Sequence, residues 1–176
     1  MTQGADMDAP VDTTIARILP AGRFSGRDTF RQLVRDALAC AVRDGWREII
    51  LSDATFEDWP LGDREVVESL RAWSTRERRC TLLARRYDDL ARRHPRFVAW
   101  RQKWSHIVVA KACPSADPLG LPAAIWSPGW VMQRTGVERC TGHSGSEPYR
   151  RSLLRENLQH WLDKSSPAFP ATTLGL

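Results

Sequence analysis

The chain is nearly free of lysine, which occurs only at 103, 111 and 164 among 26 basic residues, so its cationic character is carried by arginine. That arginine bias also fits an Arg- and Ala-rich background of G+C-rich coding, in which a charge run is simply a solvated face. Cysteine is sparse as well. Cys40, Cys80, Cys113 and Cys140 stand far apart, with no C-x-x-C pair, which excludes zinc-ribbon and thioredoxin-type spacings. Each falls in or beside an apolar segment, as a buried reduced thiol does. No apolar run approaches the ~18 residues of a membrane span, and the first residues lack the charged-then-apolar pattern of a secretory signal. These absences predict a soluble cytoplasmic protein. There is no internal repeat.

What is present is a 176-residue chain, 42% hydrophobic and 27% charged, with a formal net charge of +5. That length suits one well-buried core. The excess charge is concentrated between Arg64 and Lys103, where the acids are only Glu65, Glu68, Glu77, Asp88 and Asp89. Such a field attracts phosphates, acidic lipids or an acidic partner.

Hydrophobic periodicity predicts the elements. Residues 1–24, broken by Pro10, Pro20 and Gly22, read as an arm. A helix follows, with Ser25 and Asp28 at capping-box spacing and Phe30, Leu33, Val34, Ala37, Leu38 and Ala41 on one face, stopped at Gly45. "REIILSD" reads as a buried strand. Asp63 then caps a helix with Val66, Val67, Leu70 and Trp73 inward. "CTLLAR" and "HIVVAKAC" are two further strands, separated by a helix interrupted at His94-Pro95. "PAAIW" and "WVMQRT" flank the turn "SPG" as a hairpin, and "VERCT" is one more strand. Pro148 opens a last helix with Leu153, Leu154, Leu158, Trp161 and Leu162 inward. Residues 165–176 read as an extended tail. Alternating strands and helices predict one α/β domain over residues 25–164: a sandwich with a mixed, mostly parallel sheet flanked by helices.

Three sets of residues carry candidate chemistry. Within "RRHPRFVAWRQKWSH", Phe97, Trp100 and Trp104 share one helical stripe and are assigned to the core, leaving Arg92, Arg93, Arg96, Arg101 and Lys103 as an anion-binding set on the wet side. Asp53, Glu57 and Asp88 fall at the carboxyl ends of strands, where open α/β sheets bind ligands, and could hold Mg²⁺. There is no D-x-D spacing and no companion lysine beside them. Trp126 and Trp130 flank the hairpin turn, where at least one is expected to be exposed and to mark an interface.

"GHSGS" at 142–146 nearly spells a nucleophile elbow, but the only downstream partners are His160 and Asp163, in the wrong order on one helix. It reads better as a helix start capped by Ser146. His94, His106, His143 and His160 have no neighbour that would tune them for acid–base work.

The element order, with its hairpin and closing helix, resembles one half of the phospholipase D-like (HKD) fold, in a degenerate bacterial branch where single halves pair as homodimers. Active members carry H-x-K-x4-D on this hairpin. Aligning the turn glycine with Gly129 puts Leu121, Ala123 and Pro128 at those positions, so the resemblance implies a retained fold without the phosphodiesterase chemistry. The expectation is therefore a non-catalytic module, without a cofactor, that binds nucleic acid or another phosphate ligand or scaffolds a homodimer. The alternatives are a metal-dependent phosphoesterase using the strand-end carboxylates and a protein–protein interaction module using the tryptophan hairpin.

Overall fold

A computed structural model describes residues 18–170. The strand predicted from "REIILSD" is β2, Glu48–Ser52, and its alternation decides the layering of the molecule. Ile49 and Leu51 join one apolar cluster, whereas Ile50 joins a second on the other side of the sheet. Both faces of a central strand are thus buried, as successive side chains point opposite ways.

The elements in order are β1 (Gly22–Phe24), α1 (Arg27–Arg43), β2, α2 (Arg64–Trp73), β3 (Arg79–Ala84), α3 (Asp88–Arg93), α4 (Pro95–Lys103), β4 (Val108–Ala112), β5 (Ala123–Trp126), β6 (Val131–Gly136), β7 (Thr141–Gly145), α5 (Pro148–Asp163) and β8 (Ser166–Pro167). They build one sheet in the order β1-β7-β6-β5-β2-β3-β4-β8. The apolar faces of α1, α2 and α4 cover one side, and α5 with the 113–121 segment covers the other. Among the described residues no helix is long and apolar enough to cross a membrane.

The sheet is mixed, but not mostly parallel. Only β2–β3 and β3–β4 pair in parallel; the other pairings are antiparallel. A parallel pair needs a crossover long enough for a helix, and α2 and the α3–α4 pair are the two crossovers present. Beyond β5 the chain runs as short-turned antiparallel strands, and this tips the balance.

The predicted arm and tail are partly sheet. Within residues 1–24, those before 18 lie outside the described residues, whereas Gly22–Phe24 forms β1 against β7, and Phe24 is buried. Gly142 is required there, since a Cβ would come within 2.4 Å of the Phe24 ring. Within 165–176, Ser166–Pro167 pairs with β4 and Phe169 stacks on Tyr87 at 4.9 Å; residues after 170 lie outside the described residues.

Helix ends differ from prediction in their chemistry. Gly26, not Ser25 or Asp28, is the N-cap of α1, and no side-chain cap bond forms. Asp63 caps α2 by position, but its carboxylate accepts from Arg35 Nε and Nη2 at 3.0 and 2.6 Å instead. At α5 the N-cap is Glu147 rather than Ser146, with Pro148 in the first turn as expected. Leu153 faces outward, while Leu154 and Leu158 are buried. Gly45 does end α1, with a left-handed φ of 64° that favours glycine.

Candidate functional site

The sheet has two ends. At the carboxyl end of β2 a cleft of about 400 Å³ opens between the 53–58 loop, the 118–123 segment and the end of β6. Its floor is Arg134, whose Nη2 donates to Asp53 Oδ2 at 2.8 Å and whose Nη1 lies 3.4 Å from Asp58 Oδ2. The guanidinium also sits over the Phe30 ring, 4.7 Å from its centroid. Asp53 Oδ1 accepts the backbone N–H groups of Thr55 and Phe56 at 3.0 and 2.8 Å. That carboxylate pins the loop and neutralises a buried cation, so its lone pairs are occupied.

The three carboxylates of the alternative metal reading, Asp53, Glu57 and Asp88, are not brought together. Glu57 turns outward to Arg93 Nη2 at 2.7 Å, and Asp88 is exposed in the first turn of α3. Among the described residues no group of three or more His, Cys, Asp or Glu side chains could hold a metal ion. Divergent ion pairing accounts for this, since each acid is drawn toward a different arginine or toward solvent. Leu121 and Ala123 line the same cleft, and Pro128 sits in the hairpin turn.

The hairpin tryptophans are not exposed. Trp130 is buried, its indole N–H donating to Pro20 O at 3.0 Å. Trp126 is half-buried against α5, donating to Arg151 O at 2.9 Å under the Arg155 guanidinium. An indole N–H taken out of water needs an acceptor, and both find one inside this chain. The near-elbow at 142–146 lies in β7 up to Gly145, with Ser146 just beyond it, and Ser144 Oγ donates to Pro20 O at 2.9 Å.

The predicted anion-binding set is divided by α4. Arg92 and Arg93 close α3, Arg96 opens α4, and all three are engaged: Arg92 with Asp89 at 2.6 Å, Arg93 with Glu57, and Arg96 with the Gly62 carbonyl at 3.3 Å. Arg101 is not on the wet side at all. It is buried beneath the segment after β8, with Nη2 donating to Phe169 O at 3.2 Å. Burial also lowers its pKa from the ordinary value. Lys103 alone of the five is exposed at the opposite end of the helix.

That opposite end carries the less obvious site. Arg47 directly precedes β2, and its carbonyl accepts the N–H of Arg79, the first residue of β3, at 2.9 Å. Arg71 occupies the last turn of α2, and Arg76 lies in the connection from α2 to β3. Lys103 and Arg76 share a cavity of about 500 Å³ with Trp104 and His106. Arg47, Arg71, Arg76, Arg79 and Lys103 are all exposed, and no carboxylate lies within ion-pair distance of any of them among the described residues. Arg78 is held differently, donating to the carbonyls of Gly45 and Trp46. The exposed acids of this region include Glu77 and Asp44, the latter paired with Arg43.

Sequence reasoning missed Arg134 and the clustering of this edge. Arg134 was open to detection, because it is in phase with Met132 on the core-facing side of a predicted strand. A cation there requires a buried acid. The edge has no such signal: its cations come from three separate connections.

The fold and these surfaces define a single-sheet α/β protein with a polar cleft at one end of its parallel strands and a cationic edge at the other. No family model matches the chain, and no curated protein matches it. It is similar to a solved structure of TrmBL2, an archaeal chromatin protein described as showing a novel mode of DNA binding, with a TM-score of 0.62 and 12% identity over 90% of this chain. At that identity the likeness is one of fold. The chain spans 57% of the length of that structure's chain.

Proposed function

We propose that this protein is a non-catalytic α/β module that binds nucleic acid through the cationic edge formed by Arg47, Arg71, Arg76, Arg79 and Lys103. The single observation carrying this reading is that these five exposed side chains have no carboxylate partner among the described residues, while Arg92 and Arg93 at the end of α3 do. Exposed guanidinium and ammonium groups without internal partners are free to take phosphate oxygens, arginine in bidentate fashion. Arg71 and Lys103 sit in the last turns of α2 and α4, where they also complement the negative helix ends. That role leaves their outward N–H groups available. The fold likeness to a DNA-binding chromatin protein supports nucleic acid as the class of anion.

The phospholipase D-like half-domain reading is retained as part of this proposal. It is supported by Leu121 and Ala123, the residues at the histidine and lysine positions, both lining the cleft at the strand ends. In this reading the catalytic end is emptied of its chemistry and binding falls to the opposite edge. Four buried free cysteines support a cytoplasmic setting.

Fluorescence anisotropy of labelled oligonucleotides at two salt concentrations tests the proposal. Phosphate contacts predict that log K falls linearly with log[salt], with a slope of about −0.7 to −0.9 per contact. Replacing Arg47, Arg76, Arg79 and Lys103 with glutamine should flatten that slope. A folded protein that binds no oligonucleotide at low salt would remove nucleic acid as the partner.

A further inference from the structure

Trp104 differs from the other aromatic residues of its segment. Phe97 and Trp100, on the preceding turns of α4, are completely enclosed, and the Trp100 indole donates to Ser74 Oγ at 2.9 Å. Trp104 follows the last helical residue with a non-helical backbone, φ −108° and ψ 30°, so it leaves the inward stripe. Only part of its ring packs against the core. The indole N–H groups of Trp73, Trp100, Trp126 and Trp130 all have acceptors within the chain. That of Trp104 has none among the described residues, as is also true of Trp46, Trp59 and Trp161, but unlike that of Trp59 it is not a buried orphan. The His106 ring stands beside it, centroids 5.5 Å apart and planes tilted by 37°. Together they form an aromatic wall of the cavity that also holds Arg76 and Lys103.

A half-open aromatic wall beside two free cations has a specific complement: a flat π-face attached to a phosphate. We infer that this cavity is a stacking subsite for a base of single-stranded nucleic acid, with the flanking phosphates held by Arg76 and Lys103. The inference rests on the cationic-edge reading and specifies the form of its ligand. Stacking on a side chain needs an unpaired base that can leave its neighbours, which a duplex does not offer without paying to flip one. Arg79 and Arg47 then continue the phosphate track along the starts of β3 and β2.

The test compares a single strand, the same strand with abasic sites, and the matching duplex, as DNA and as RNA, by anisotropy at low salt with the full chain. The intact single strand should bind roughly 5- to 100-fold more tightly than its abasic counterpart, the range expected for loss of a stacked base. Trp104→Leu should abolish that advantage while abasic binding is unchanged, and Trp104→Phe should keep most of it. Should Trp104→Leu fail to fold by circular dichroism, the probe comparison with the unaltered protein and with His106→Ala still decides. Equal binding of intact and abasic strands would overturn the stacking subsite while leaving the cationic edge standing. Tighter binding of the duplex would overturn it too. Absence of binding by every probe would instead overturn the edge reading itself.

Discussion

Arg134 Nη2 lies 2.8 Å from Asp53 Oδ2, and each side chain is only 5% exposed. The pair ties the end of β2 to the end of β6, across β5, and through Asp53 it also holds the 53–56 turn. Breaking a buried pair from one side strands the other charge. Asp53→Ala should therefore cost about 3–5 kcal/mol in urea unfolding, and Asp53→Ala combined with Arg134→Met should recover part of that loss. A single-variant loss below about 1 kcal/mol would show that the pair is not structural.

His94 gives the fold a pH dependence of known sign. Its ring is buried with Nε2 3.2 Å from Phe56 O, and burial drives its pKa below the ordinary 6.5. The unfolded chain therefore takes up a proton near pH 6.5 that the folded chain refuses. Stability is present above that value and is lost as pH falls below it, at no more than about 1.4 kcal/mol per pH unit. Unfolding midpoints at pH 8 and pH 5.5 should converge in His94→Gln relative to the unaltered protein. Identical declines in the two proteins would assign the dependence to other groups.

The thiols should be inert in the folded state. Cys80 is fully enclosed in the sheet, and burial pushes its pKa up to about 12 from an ordinary 9.0. At pH 8 that lowers its thiolate fraction on the order of 1,000-fold, and the thiolate is the reactive species. All four cysteines are buried, so a colorimetric disulfide reagent should label the native protein slowly and all four sites at once in denaturant. Rapid stoichiometric labelling of the folded protein would show that the sheet opens locally.

Which end of the sheet a cation occupies should matter more for anion binding than the basic count of the stretch around α4. Changing Arg92, Arg93 and Arg96 to glutamine should alter oligonucleotide affinity by less than about 3-fold, because these side chains already have partners. Changing Arg76, Arg79 and Lys103 should weaken it about 10-fold or more at low salt. Reversal of that order would place the binding face at the other end of the strands.

Much of the architecture was legible from one-dimensional pattern. The inward face of α2, the His94-Pro95 break, the turn at Ser127-Pro128-Gly129 and the buried thiols follow from spacing and from proline's restriction of its neighbour. The site was less legible. Arg92 to Lys103 look like one basic stretch, yet α3 ends at Arg93, the nine residues of α4 separate Arg96 from Lys103, and the chain after β8 closes over Arg101. Asp53, Glu57 and Asp88 look like one acidic set, but Arg134 holds the first, Arg93 holds the second, and the third faces solvent.

The sequence alone determined the α/β class, because hydrophobic periodicity and turn chemistry are local and each element's buried face is written in its own residues. Only the tertiary structure decided which charges are free. That depends on partners far along the chain: Asp53 waits for Arg134, Trp126 for Arg151, and Arg101 for Phe169. A charge without such a partner, as at Arg76, Arg79 and Lys103, can be recognised only after all the others have been matched.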